Sequence, residues 1–141
     1  MLGSYERGEK GIKKSLKRAV QLYELSAAQG FVTAQFQLGQ CFYRGMGVKL
    51  DIKKALKYYT LAADQGDAEA QYNCGAHYFN GEGVEPDGME AMRYFELSAA
   101  QGHQGAQKTL ITIQNAFERR STTLTAEEVR GPANFRRRDR V

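Results

Sequence analysis

The sequence predicts an all-α fold, a solenoid of stacked helix pairs, from three observations. The heptapeptide ELSAAQG stands at residues 24–30 and again at 96–102, and TLAADQG fills the midpoint at 60–66, which sets a period of 36. Within each unit, small and aromatic residues recur at helical spacing. Glycine is abundant, 15 residues against 2 prolines, and it falls at matching phases of the units, where helices end. The 141 residues suit one domain and are enough to bury a core.

The register holds well beyond the heptapeptide. GMGVKLDIKKALKYYTLAADQG (45–66) aligns without a gap to GEGVEPDGMEAMRYFELSAAQG (81–102), and AQFQLGQCFYRG (34–45) aligns to AQYNCGAHYFNG (70–81). The opening unit matches from Tyr5 through Ile12 and Ala19 to Gly30, with about one residue slipped in an early loop. Each unit therefore reads as two helices.

In chain order, the first strong helix covers roughly residues 14–29 and is a second helix of a pair. Its buried stripe is Ala19, Leu22, Tyr23, Ser26 and Ala27. The equivalent stripes are Ala55, Tyr58, Tyr59, Ala62 and Ala63, then Ala91, Tyr94, Phe95, Ser98 and Ala99. The spacing i, i+3, i+4, i+7, i+8 puts each set on one helix face. Gly30, Gly66 and Gly102 close these helices as left-handed C′ residues, and Asp67 is the predicted N-cap of the helix that follows. Such a short link makes the flanking helices antiparallel.

The first helices of the next two units carry a glycine in mid-helix, Gly39 and Gly75. It costs about 1 kcal/mol against alanine, so its recurrence marks a close helix crossing. The longer link is GxGV, with Val48 and Val84 plugging its underside. Asp51 and Asp87 are the predicted N-caps beyond it, and Asp87–Glu90 is spaced as a capping box. HQGAQKTLITIQNAFERR (103–120) starts as a first helix but has Ile111 where the glycine stood and no GxGV after it, as in a closing helix.

These letters, A-Q-[FY]-x-x-G-x-x-[FY]-[FY]-x-G-x-G-V followed by K-A-x-x-[YF] and A-A-x-Q-G, resemble the Sel1-like repeat, a relative of the tetratricopeptide repeat with a longer interhelical loop. The likeness covers residues 5–116. It implies a right-handed superhelix of antiparallel pairs, with the first helix of each pair lining the concave side. It also implies an adaptor or scaffold that docks a protein or peptide there. The resulting division is a partial repeat 5–30, repeats 31–66 and 67–102, a closing helix 103–120, and a basic, flexible tail 121–141. The first helix of the opening pair is lacking, so the segment before residue 14 folds back as a cap or the array is truncated; the second is the expectation. An uncapped opening helix would favour self-association.

By register with the family, concave positions are Thr33, Phe36, Gln40, Tyr43 and Arg44, then Glu69, Tyr72, Ala76, Phe79 and Asn80, then Lys108. Aromatic rings beside amides and a cation suit peptide recognition. The competing reading makes Phe36, Tyr43, Tyr72 and Phe79 core, and Gln40, Arg44 and Asn80 a solvated face.

Other chemistries find little support. The net charge is +4, but seven Arg in residues 117–141 face only Glu118, Glu127, Glu128 and Asp139, and residues 1–18 hold six Lys/Arg and two Glu. The middle is close to neutral, which disfavours a phosphate-binding groove; RRRDR (136–140) is the one patch for nucleic acid or nuclear import. Cys41 and Cys74 lack CxxC spacing and read as reduced thiols, which points to the cytoplasm. Some Sel1-like proteins pair cysteines in every repeat, but Cys41 aligns here with His77. Cys74, His77, His103 and Cys41 do not have the tight four-ligand spacing of structural zinc. Two histidines leave little room for acid–base catalysis, and GEGVEPDG lacks the frame of a phosphate loop. No run approaches a membrane span. The expectation is a non-enzymatic interaction module without cofactor or metal. The alternatives are a nucleic-acid-associated protein using its basic termini and a purely architectural segment of a larger array.

Overall fold

A computed structural model describes the backbone of residues 2–130 and the side chains of residues 11–120. Six helices follow in order: α1 (Leu2–Ala28), α2 (Val32–Arg44), α3 (Ile52–Asp64), α4 (Ala68–Asn80), α5 (Gly88–Ala100) and α6 (Gln104–Arg130). Each packs chiefly against its neighbours in sequence, so the chain stacks rather than wraps. The pairs are α2–α3 and α4–α5, with α1 and α6 at the two ends of the stack. The Arg-rich patch at 136–140 lies outside the described residues.

Helix boundaries follow from the predicted caps. Asp51, Asp67 and Asp87 each accept a hydrogen bond from the backbone three residues on, Lys54 N at 3.1 Å, Ala70 N at 2.8 Å and Glu90 N at 3.0 Å. Only half of the capping box forms, because the Glu90 carboxylate turns to Arg93 at 2.7 Å instead of reaching back to the backbone of Asp87. At the short links, the chain turns through Gly66 (φ +96°), and Asp67 N donates back to Ala62 O at 3.2 Å. Gly102 (φ +91°) and His103 repeat the turn, and there the His103 ring takes over as cap, Nδ1 accepting from Ala106 N at 3.0 Å.

The core is the predicted stripe. Ala55, Tyr59, Ala62 and Ala63 are buried against Leu38, Cys41 and Phe42, and Ala91, Tyr94, Phe95 and Ser98 are buried one unit later. Removing a Leu- or Phe-sized side chain from water stabilises by about 1.5–3 kcal/mol. The alanines let helices approach while rings fill the gaps: Phe42 stacks on Tyr58 at 5.7 Å, and Tyr78 on Tyr94 at 5.8 Å. Val48 and Val84 pack against the core beneath their loops.

A glutamine ladder joins consecutive units. Gln65 Nε2 donates to Gly30 O at 3.0 Å and to Gln35 Oε1 at 2.8 Å, and Gln101 donates to Gly66 O at 2.8 Å and to Gln71 Oε1 at 2.9 Å. Gln35 and Gln71 are buried and donate to Ala27 O and Ala63 O. This accounts for the Q at positions 65 and 101 of the heptapeptide copies, where the amide satisfies a turn carbonyl of the preceding unit.

Both end helices are longer than their expected limits. α1 starts at Leu2 with no early loop, because good helix formers flank Gly8 and Gly11 and the GxG spacing of the true loops is absent. Leu22, a stripe residue by register, is exposed, since no first helix covers α1 on that side among the described residues. α6 continues past residue 120 to Arg130, with no glycine or proline between Ala106 and Arg130 to stop it. Residues 121–130, assigned to the tail by sequence, are therefore helical.

Candidate functional site

The face shared by α2 and α4 carries the candidate site. On α4, Glu69, Asn73, Ala76 and Asn80 recur at helical spacing; on α2, Thr33, Gln37, Gln40 and Arg44 do the same one unit earlier. Between the two rows lies a cavity of about 250 Å³, bordered by Gln40, Tyr43 and Arg44 from α2, Glu69, Asn73, Ala76 and His77 from α4, Tyr59 from α3, and Glu82 from the loop.

Its floor is built by interlocked rings. Tyr59 is 2% exposed and its hydroxyl donates to Gln40 Oε1 at 3.2 Å. Burial pushes that hydroxyl well above the ordinary phenol range, with the Arg44 charge opposing. The Tyr43 ring meets His77 edge-on at 5.5 Å, and its hydroxyl donates to Glu82 Oε1 at 3.5 Å. His77 Nδ1 lies 2.9 Å from the Glu82 carbonyl oxygen, which can only accept, so this nitrogen donates. Among the described residues, no hydrogen bond or ion pair holds the Arg44 guanidinium or the Asn73 amide. The cavity thus offers two carboxylates, a cation and a free amide around aromatic walls.

Of the eleven positions named from sequence, Gln40, Tyr43, Arg44, Glu69 and Ala76 come together here. Phe36 and Tyr72 are half-buried packing rings, on Tyr59 at 5.6 Å and on Phe95 at 5.7 Å. Tyr72 is also stacked on His103 at 4.7 Å, whose Nε2 lies 2.8 Å from Glu69 Oε1. Thr33, Asn80 and Lys108 are exposed and outside the cavity wall. Phe79 lines a different, apolar groove with Ile113 and Phe117. Asn73 and Glu82 were not singled out by sequence, whereas Tyr59 was read only as a buried stripe residue and His77 only in the rejected zinc set. Asn73 was within reach, four residues beyond Glu69 on the same stripe.

No three His, Cys, Asp or Glu side chains cluster as metal ligands among the described residues. Cys74 is 0% exposed beside the Thr60 hydroxyl at 3.8 Å, and burial pushes its thiol up to about 12. Among the described residues, no helix is long and apolar enough to cross a membrane.

The Sel1 repeat model matches residues 1–31, 32–67 and 68–103. Among solved structures, a Sel1 repeat protein from Oxalobacter formigenes is similar at 33% identity and TM-score 0.63, over 64% of this chain and 36% of its own. A protective antigen of uropathogenic Escherichia coli strains, displaying an SLR fold, is similar at 35% identity and TM-score 0.66, over 67% of this chain and 20% of its own. The chain therefore spans about a third and a fifth of those two proteins. Helicobacter pylori cysteine rich protein B shares the fold at 19% identity and TM-score 0.61, over 74% of this chain and 92% of its own. No curated protein matches. Three consecutive repeat matches and the shared architecture place the chain in the Sel1 repeat family, whose members are generally protein-interaction modules.

Proposed function

We propose that this chain is a non-catalytic adaptor that holds an extended segment of a protein partner across the α2–α4 face, with one partner side chain seated in the 250 Å³ cavity. The reading is carried by the two side chains left without a hydrogen bond at that cavity, Arg44 and Asn73. An amide can donate and accept at once, which suits a peptide backbone, and the Glu69 and Glu82 carboxylates favour a partner side chain that donates. The packed rings hold these groups in place before binding, which lowers the ordering cost. The volume is that of one side chain rather than a whole small-molecule pocket.

Peptides selected from a random displayed library on the wild-type chain test this reading. Asn73→Ala with Arg44→Ala should weaken the selected peptides by at least about tenfold, since each lost hydrogen bond to a charged or buried group is worth about 1–3 kcal/mol. The melting temperature should barely move, because neither side chain bonds another described residue. Equal binding by the double variant would exclude the cavity as the docking site.

A further inference from the structure

The neutral middle of the chain is neutral only in sum. Residues 11–57 carry nine Lys and Arg against Glu24 and Asp51, a surplus of seven positive charges. Residues 58–107 carry eight Asp and Glu against Arg93, a surplus of seven negative charges. Charge thus changes sign between α1–α2 and the α4–α5 part of the stack, before Lys108, Arg119 and Arg120 against Glu118 return α6 to a small positive surplus. The basic α1 is therefore attracted to the acidic α5 side of a second copy, and salt weakens the attraction.

Each end of that charge gradient also presents apolar surface. On α1, Lys14, Arg18, Leu22 and Leu25 share one helix face, and the two leucines are 60% and 64% exposed. At the other end, a groove of about 890 Å³ runs between α5 and α6, with Met89, Met92, Ile113 and Phe117 as apolar walls and Asp87 and Glu96 as carboxylates. Arg93 lies there too, but it is engaged by Glu90.

The groove has a physical origin. In the two complete units, the glycine loop folds over the start of the preceding second helix. A Cβ on Gly47 would lie 2.6 Å from Leu16 O, and one on Gly83 would lie 3.0 Å from Ile52 Cγ2. No such loop follows the equivalent part of α6, because that helix runs straight on to Arg130. The start of α5 is left uncovered among the described residues, and Met89 is 86% exposed.

We propose that the occupant of this groove is a second copy of the chain, its α1 lying between α5 and α6 with leucines on the methionines and Lys14 and Arg18 toward Asp87 and Glu96. An already formed helix pays little ordering entropy on docking, which favours it over a segment that must fold first. The two surfaces are different patches, so the contact is heterologous and propagates into rings or chains rather than closing as a two-fold dimer.

Sedimentation of the full chain tests this with two variants, each altered at one end. Lys14→Glu with Arg18→Glu reverses the α1 face, and Met89→Lys with Glu96→Lys reverses the groove while sparing the Asp87 cap. Wild type should associate with rising concentration and weaken by at least about tenfold between roughly 50 and 500 mM salt. Each variant alone should be monomeric. Mixed in equal amounts they should form a heterodimer and nothing larger, since one intact α1 face then meets one intact groove; the heterodimer also shows both variants to be folded. A wild type that stays monomeric at every concentration overturns the proposal, including the case in which residues 131–141 fill their own groove. So does a mixture that remains monomeric, or association that survives both variants.

Discussion

The Tyr59 ring occupies the space that a side chain at Gly39 would need: a Cβ there would stand 2.7 Å from two ring carbons. Gly75 and Phe95 repeat the relationship one unit later, at 2.6 Å. Alanine is the better helix former by about 1 kcal/mol, but overpacking a filled contact costs about 1–3 kcal/mol. Gly39→Ala and Gly75→Ala should therefore each lower stability, by up to about 2 kcal/mol in urea unfolding. Gly11, which a Cβ would leave free of contacts, should show the opposite sign and gain up to about 1 kcal/mol.

The glutamine ladder predicts an order of effects. Gln71 is buried and serves both Gln101 and Ala63 O, so Gln71→Ala should cost about 1–3 kcal/mol. Gln101 is exposed, and its replacement by alanine should cost less, about 0.5–1.5 kcal/mol. A double-mutant cycle on the pair should return a coupling energy distinct from zero, because the two amides share a bond.

Capping gives a gain as well as losses. Asp51→Ala and Asp87→Ala should each cost about 1 kcal/mol in thermal unfolding. Phe31 is the N-cap of α2 and supplies no side-chain bond, at the position where Asp67 caps α4. Phe31→Asp should stabilise by about 0.5–1 kcal/mol, and an unchanged melting temperature would show that position 31 cannot adopt the Asp67 geometry.

Cys74 makes stability depend on alkaline pH. An unfolded thiol ionises near 9, whereas burial holds the native one protonated until about 12. Over that window the unfolded state has lost its proton and the native state has kept it, so stability falls as pH rises. The slope should be shallower in Cys74→Ala, measured by urea titrations at stepped pH. For the same reason, iodoacetamide at pH 8 should label Cys74 only as fast as the chain opens.

Most of the architecture was readable from phase alone. A 36-residue register located both complete helix pairs, the three aspartate caps and the two glycine crossings, because each is a short-range rule repeated in place. The departures came where repetition stops. The early loop expected in the opening unit is absent, because helix propensity carries α1 through Gly8 and Gly11, and α6 ignores a boundary that rested on a missing motif. At the candidate site, Gln40, Tyr43, Arg44, Glu69 and Ala76 followed from register, whereas His77 and Glu82 depend on how a loop carbonyl meets a ring five residues back. That meeting has no counterpart one unit earlier, where Cys41 replaces the histidine, so no periodic argument could find it.

The amide ladder also has a mechanical side. It runs along the edge of the stack formed by the short turns, where neighbouring units are stitched by directional bonds that break within small displacements. The edge formed by the glycine loops is joined mainly by apolar packing beneath Val48 and Val84, with one long hydrogen bond, Tyr43 to Glu82 at 3.5 Å, between the two complete units. The turn edge should therefore be the stiffer of the two, and bending of the array should open the spacing of its loops before that of its turns.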